Sequence, residues 1–161
     1  MSERRCGSCS ECCFSVGVIE FDKRLFTHCP HEKTSKSGSC GVYAHRPPSC
    51  ASFSCNWLQG LFDRKDRPDR IGIVFATAEL PGLQAVIAWV RKDGAHERGR
   101  GHELLALLAR QVPVCILLRD GTKKLMINED MEWRIPEIRA KLSAFMPKRA
   151  AYRHLPIAQG G

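Results

Sequence analysis

The sequence predicts an α+β fold in which a metal-stabilised, cysteine-rich N-terminal module with few regular elements precedes a small ββαββα region. Three observations lead there. Eight of the nine cysteines lie between Cys6 and Cys55. The first 55 residues carry few large apolar side chains, among them Phe14, Val16, Leu25 and Phe53. From Ile71 onward, apolar residues recur first with strand-like and then with helix-like spacing. The expected division is 1–60 for the cysteine module, 61–146 for an α/β region packed on it, and 147–161 for a basic tail that frays.

The elements follow in order. A segment as poor in apolar side chains as 1–60 barely builds a core, and small cysteine-rich modules make up that deficit with metal. Ile71 to Glu79, rich in β-branched and aromatic residues, predicts a strand. Leu80-Pro81-Gly82-Leu83 reads as a turn, and Gln84 to Arg91 as the second strand of a hairpin. Glu97 to Gln111 predicts a helix with Leu104, Leu105, Leu107 and Leu108 on one face. Gly99 and Gly101 weaken its start, so the firm part is expected from His102. Pro113 ends it. Val114 to Arg119 and Lys123 to Ile127 predict a second strand pair across Asp120-Gly121. A last helix starts near Pro136, with Ile138, Leu142 and Phe145 on its apolar face.

Cysteine placement carries the functional reading. The start, Met1 to Arg5, has no apolar stretch, so no secretory signal is expected and the protein is placed in the cytoplasm. No apolar run is long enough to cross a bilayer, so no membrane partner is expected. In a reducing compartment, clustered cysteines read as metal ligands or redox thiols rather than disulfides. Cys6, Cys9 and Cys12 follow one another at intervals of three. A C-x2-C turn lets two sulfurs converge on one cation at about 2.3 Å. Cys13 adjoins Cys12, and neighbouring side chains point apart, so the two can serve different metals. Cys29, Cys40, Cys50 and Cys55 complete the set, each near glycine or proline. Eight thiolates fill two tetrahedral zinc sites, or an iron–sulfur cluster plus a zinc. Which cysteines share a metal does not follow from spacing. Cys115, in Val-Cys-Ile-Leu-Leu, reads as a core residue.

The blocks Cys6-x2-Cys9-x2-Cys12-Cys13 and Cys40-Gly-Val-Tyr43-Ala-His-Arg46-Pro47-x2-Cys50-x2-Phe53-x-Cys55 resemble the CxxCxxCC, or YkgJ-like, cysteine-cluster family. Asn56-Trp57-Leu58 and Arg67-Pro68-Asp69-Arg70 resemble one branch of it. The resemblance implies the eight cysteines as ligands for zinc or iron. It supplies no reaction.

Net charge is +8, from 25 basic and 17 acidic side chains. Eight thiolates holding two zinc ions would lower it to about +4. A metal-binding protein that chelates zinc or iron, its α/β part supporting the cysteine module or docking a protein partner, is the leading expectation. An iron–sulfur enzyme in redox or methyl-transfer chemistry, and a zinc-dependent nucleic-acid-binding module, are the alternatives. No nucleophile–base–acid set is evident, so no catalytic residue is expected. His28, His31 and His45 read as loop residues beside sufficient thiolates. Arg46 reads either as a donor to thiolates or an anion, or as a partner of Tyr43. Trp57, Trp89 and Trp133 read as core or contact residues. Arg98-Gly99-Arg100-Gly101 reads as a solvated loop, since it matches no phosphate-binding fingerprint.

Overall fold

The computed structural model describes residues 3–33 and 40–145. The tail at 147–161 and the side chain of Phe145 lie outside them.

Four strands form one mixed sheet in the order β1-β2-β3-β4. Strands β1 (Ile73–Leu80) and β2 (Leu83–Val90) make the expected hairpin, in register from Ile73 opposite Val90 to Leu80 opposite Leu83. Strand β3 (Val114–Leu118) pairs parallel with β2, and β4 (Lys123–Met126) pairs antiparallel with β3. A parallel pair needs a crossover, and the helix α4 (Gly99–Ala109) supplies it.

Strands β1, β2 and β3 are largely buried on both faces, and their alternation divides two cores. Val74, Ala76, Ala78, Ile87, Trp89, Cys115 and Leu117 face one side. There they pack with Val16 and Leu25 of the cysteine-rich segment and with Ile138 and Leu142 of the last helix, α5 (Ile135–Phe145). Ile73, Phe75, Val86, Ala88, Val90, Val114 and Ile116 face the other side, against Leu104 and Leu105 of α4 and against Trp57 and Phe62. The cysteine-rich segment is therefore one covering layer of the sheet, sharing its core. Asn56 ties the layers together. Its backbone N–H donates to Phe75 O at 2.8 Å, and its buried side-chain oxygen accepts from the Thr77 N–H at 3.0 Å.

Several sequence expectations are corrected. Ile71 belongs to a short helix, α3 (Pro68–Ile71), not to β1. Pro68 occupies its first turn, where the missing N–H costs nothing, and Gly72 ends it at φ +76°. Helix α4 is shorter than predicted at both ends, and Arg98-Gly99-Arg100-Gly101 leads into its first turn instead of forming a loop. Gly101 is buried there, and a Cβ on it would lie 2.7 Å from Ala95 O and 2.8 Å from Ile73 Cδ1. The glycine is thus the contact that lets the helix start sit on the sheet. Leu107 turns away from the core and is 50% exposed, because the face turned to the sheet runs through Gly101, Leu104, Leu105 and Ala109. Trp57 and Trp89 are core residues as expected, but Trp133 is 79% exposed, on a 3-10 turn (Glu129–Arg134) that precedes α5.

Candidate metal centre

The local folds that carry the cysteines are short turns and single helical turns. Gly7, at φ +54°, lets the Cys6 carbonyl accept from the Cys9 N–H at 2.9 Å, closing the expected C-x2-C turn. Arg67 braces this turn by donating to Ser8 Oγ at 3.3 Å while forming a double hydrogen bond to Asp69. Cys12 and Cys13 lie on helix α1 (Glu11–Ser15). Cys29 starts a turn closed by the Glu32 N–H, and Glu32 in turn bridges to Cys40. Cys50 sits on helix α2 (Pro48–Ala51), begun by Pro47-Pro48. Ser49 of α2 is bound through its N–H and hydroxyl to the Glu20 carboxylate, which ties α2 to the early segment. Cys55 lies just before the crossing at Asn56.

These pieces bring all eight cysteines, spread over 50 positions of sequence, around one cavity of about 90 Å³. Cys115 is on β3, buried in the sheet. A second cavity of about 20 Å³ lies under the first turn, walled by Cys6, Cys9, Cys12 and Cys55 with Trp57, Pro68 and Val74. Among the described residues, no group of three or more His, Cys, Asp or Glu is gathered at one point as a preformed metal site. The thiols stand around cavity walls.

Their electrostatics follow from this crowding. Burial pushes the thiol pKa of Cys9 up to about 11. Burial does the same for Cys50, again to about 11, with the neighbouring Cys29, Cys13 and Cys40 adding to it. Cys6, Cys29 and Cys55 are also raised, chiefly by burial. Cys12 is raised well above the ordinary range, first by its hydrogen bond with the Cys13 thiol and then by burial. Cys13 contributes to the rise at Cys6, Cys12, Cys29 and Cys50. Thiols of this kind are protonated at neutral pH, and a metal ion must displace their protons to bind.

Two cations sit beside them. Lys23 is only 4% exposed, and its Nζ donates to the carbonyls of Phe14, Val16 and Arg24 at 3.1, 2.6 and 3.2 Å. Burial lowers its pKa, while Cys29, Cys13, Cys12 and Cys50 act to raise it. Arg46 lines the cavity and opposes the rise at Cys6. Its guanidinium lies 4.1 Å over the Tyr43 ring, and its Nε donates to Tyr43 O. Arg46 thus takes the packing role on Tyr43, one of the two the sequence left open, and lines the cavity beside the thiols. Lys23 escaped the sequence reading, because an isolated lysine is read as exposed and nothing in its neighbours marks it otherwise.

Of the three histidines, only His31 lines the cavity, with its ring against Phe21. His28 pairs with Glu32 at 2.7 Å, and His45 is exposed on a 3-10 turn. Arg100 is engaged by Asp66 and Glu103. No helix among the described residues is long and apolar enough to cross a membrane.

Comparison of the chain with family models, with curated proteins and with solved structures gives no match.

Proposed function

We propose that this chain is a metal-binding protein of the CxxCxxCC, YkgJ-like type that holds zinc or iron through Cys6, Cys9, Cys12, Cys13, Cys29, Cys40, Cys50 and Cys55. The observation that carries the reading is the convergence of these eight thiols on one cavity, with Cys115 left in the sheet. The donor set fits. Eight soft sulfur ligands suit zinc or iron–sulfur chemistry. Lys23 and Arg46 supply fixed positive charge against the negative charge the sulfurs gain on losing their protons.

The two cavities favour a division into two groups of four. Cys6, Cys9, Cys12 and Cys55 surround the smaller cavity. Cys13, Cys29, Cys40 and Cys50 remain, and within that group Cys50 is influenced by Cys29, Cys13 and Cys40, and Cys29 by Cys13 and Cys40. Four thiolates complete a tetrahedral site, so neither group keeps an open coordination position. The metals on this reading are structural, and the role is that of an accessory protein rather than an enzyme.

Elemental analysis with an absorption spectrum, on protein purified without oxygen, tests it. About two zinc ions per chain and no colour are expected. Serine at Cys9 should remove one metal, and serine at Cys50 the other. Iron with matching sulfide and a brown colour would bring the iron–sulfur reading forward. Protein that takes up neither metal after anaerobic reconstitution would refute metal binding.

A further inference from the structure

A second concave site adjoins the cysteine cavity. It is a cleft of about 860 Å³ walled by Arg4, Arg5, Arg64 and Gln59, with Glu3 as its acidic member. Tyr43 and Leu58 line both this cleft and the cysteine cavity, so the two share a wall. Three arginines against one carboxylate give the cleft a positive field, and Glu3 pairs with Arg5 at 4.0 Å. Arg4 is fixed in place. Its Nη1 donates to Trp57 O at 2.7 Å, and its guanidinium stacks on the Trp57 ring at 5.3 Å. A guanidinium held this way keeps its other N–H groups for a ligand at little entropic cost. Tyr43 is 52% exposed at the cleft wall while Arg46 stacks on it from 4.1 Å. An exposed aromatic ring backed by a cation, flanked by arginines along a groove, is the arrangement that receives bases by stacking and phosphates by charge.

We infer that this cleft binds nucleotide phosphates, with a base stacked on Tyr43 and phosphate oxygens held by Arg4, Arg5 and Arg64. The chain-wide excess of basic residues, 25 against 17, works in the same direction. None of the proposed contacts is a cysteine, and of the proposed contacts only Tyr43 also lines the cysteine cavity. The phosphate chemistry is shared by free nucleotides and single strands.

The test uses the full chain with its metal as purified. A fluorescein-labelled single-stranded RNA of about 12 uridines is titrated by anisotropy, and AMP is offered as competitor. Binding is expected to weaken as salt rises, with a slope of about −0.7 per phosphate contacted. Arg5→Glu with Arg64→Glu should weaken it roughly tenfold or more, and Tyr43→Ala roughly fivefold or more. Lys123→Glu with Arg139→Glu makes the same charge change elsewhere, Lys123 lying on the edge strand opposite β1, and should stay within about twofold. Far-ultraviolet circular dichroism, unchanged in each variant, excludes misfolding as the cause. Full displacement by AMP identifies a free nucleotide as ligand, and displacement only by unlabelled strand identifies a single strand. Absence of binding to both probes at low salt overturns the inference. So does an equal loss in the remote control pair.

Discussion

Asp66 shows how much of this molecule rests on single polar side chains. It is almost fully buried, and both of its oxygens accept from Arg100 at 2.9 Å. One of them also accepts from the Asp63 N–H, closing a reciprocal cap on the 3-10 turn Arg64–Asp66. The Arg100 guanidinium holds the Asp66 carboxyl below its ordinary pKa. A folded-state pKa below the unfolded value gives stability that is present above about pH 4 and lost as pH falls through the lowered value. Asp66→Asn should therefore cost about 1–2 kcal/mol at neutral pH, the lower end applying because Arg100 is partly exposed to solvent. Urea unfolding from pH 7 to pH 2.5 should show the gap between the two proteins constant above about pH 5 and closing below about pH 4. Lys23 makes a different prediction. Lys23→Met strands the carbonyls of Phe14 and Val16, two buried acceptors, and should destabilise the metal-free chain by about 2 kcal/mol in the same assay. Neither residue was legible in the sequence. Asp66 lies among Asp63, Arg64, Lys65 and Arg67, a charge run that reads as solvated surface. That the eight cysteines form one group apart from Cys115 was legible, because their clustering in the sequence sets them off.

At the scale of elements, what the sequence shows is period, and what it hides is close approach. Every strand and both long helices of the α/β region follow from alternation and from the i, i+3, i+4 pattern, to within a few residues at their ends. The parallel pairing of β2 with β3 does not, because pairing partners depend on where α4 crosses. Gly101 is the instructive case. In a helix, Gly→Ala ordinarily stabilises by about 1 kcal/mol. At Gly101 the added methyl would meet a carbonyl oxygen and an isoleucine methyl inside 3 Å. Gly101→Ala should therefore destabilise, by about 1–3 kcal/mol, as the helix start is pushed off β1. Leu107→Ala, on the exposed side of the same helix, should change stability by no more than about 0.5 kcal/mol. Thermal unfolding of both variants checks the pair. A stabilised Gly101→Ala would mean that α4 does not sit this close to the sheet.

At the scale of the whole molecule, the two halves of unlike composition are not two bodies. Val16 and Leu25, from the cysteine-rich segment, pack in the same core as Val74, Ile87 and Trp89 of the sheet, and Cys12 and Cys55 pack against that core. The opposite face is covered by α4 and by Trp57 and Phe62, which follow the last cysteine of the segment. Such a shared core ties the folding of the cysteine-rich segment to that of the sheet. If the eight thiols hold metal, loosening them uncovers one face of the sheet, including the almost fully buried Trp89. Metal removal by a chelator should then bring three changes together: a fall in melting temperature, binding of a hydrophobic dye, and a red shift of tryptophan emission. The melting temperature should climb again with added free metal, because a ligand bound by the folded state alone stabilises it by RT ln(1 + [L]/Kd). Two separated transitions, with the lower one alone sensitive to chelator, would mean that the cysteine layer folds independently of the sheet it covers. A single transition that moves as a whole with metal concentration is the expected outcome, since Val16 and Leu25 of the cysteine-rich segment share with α5 the core on one face of the sheet.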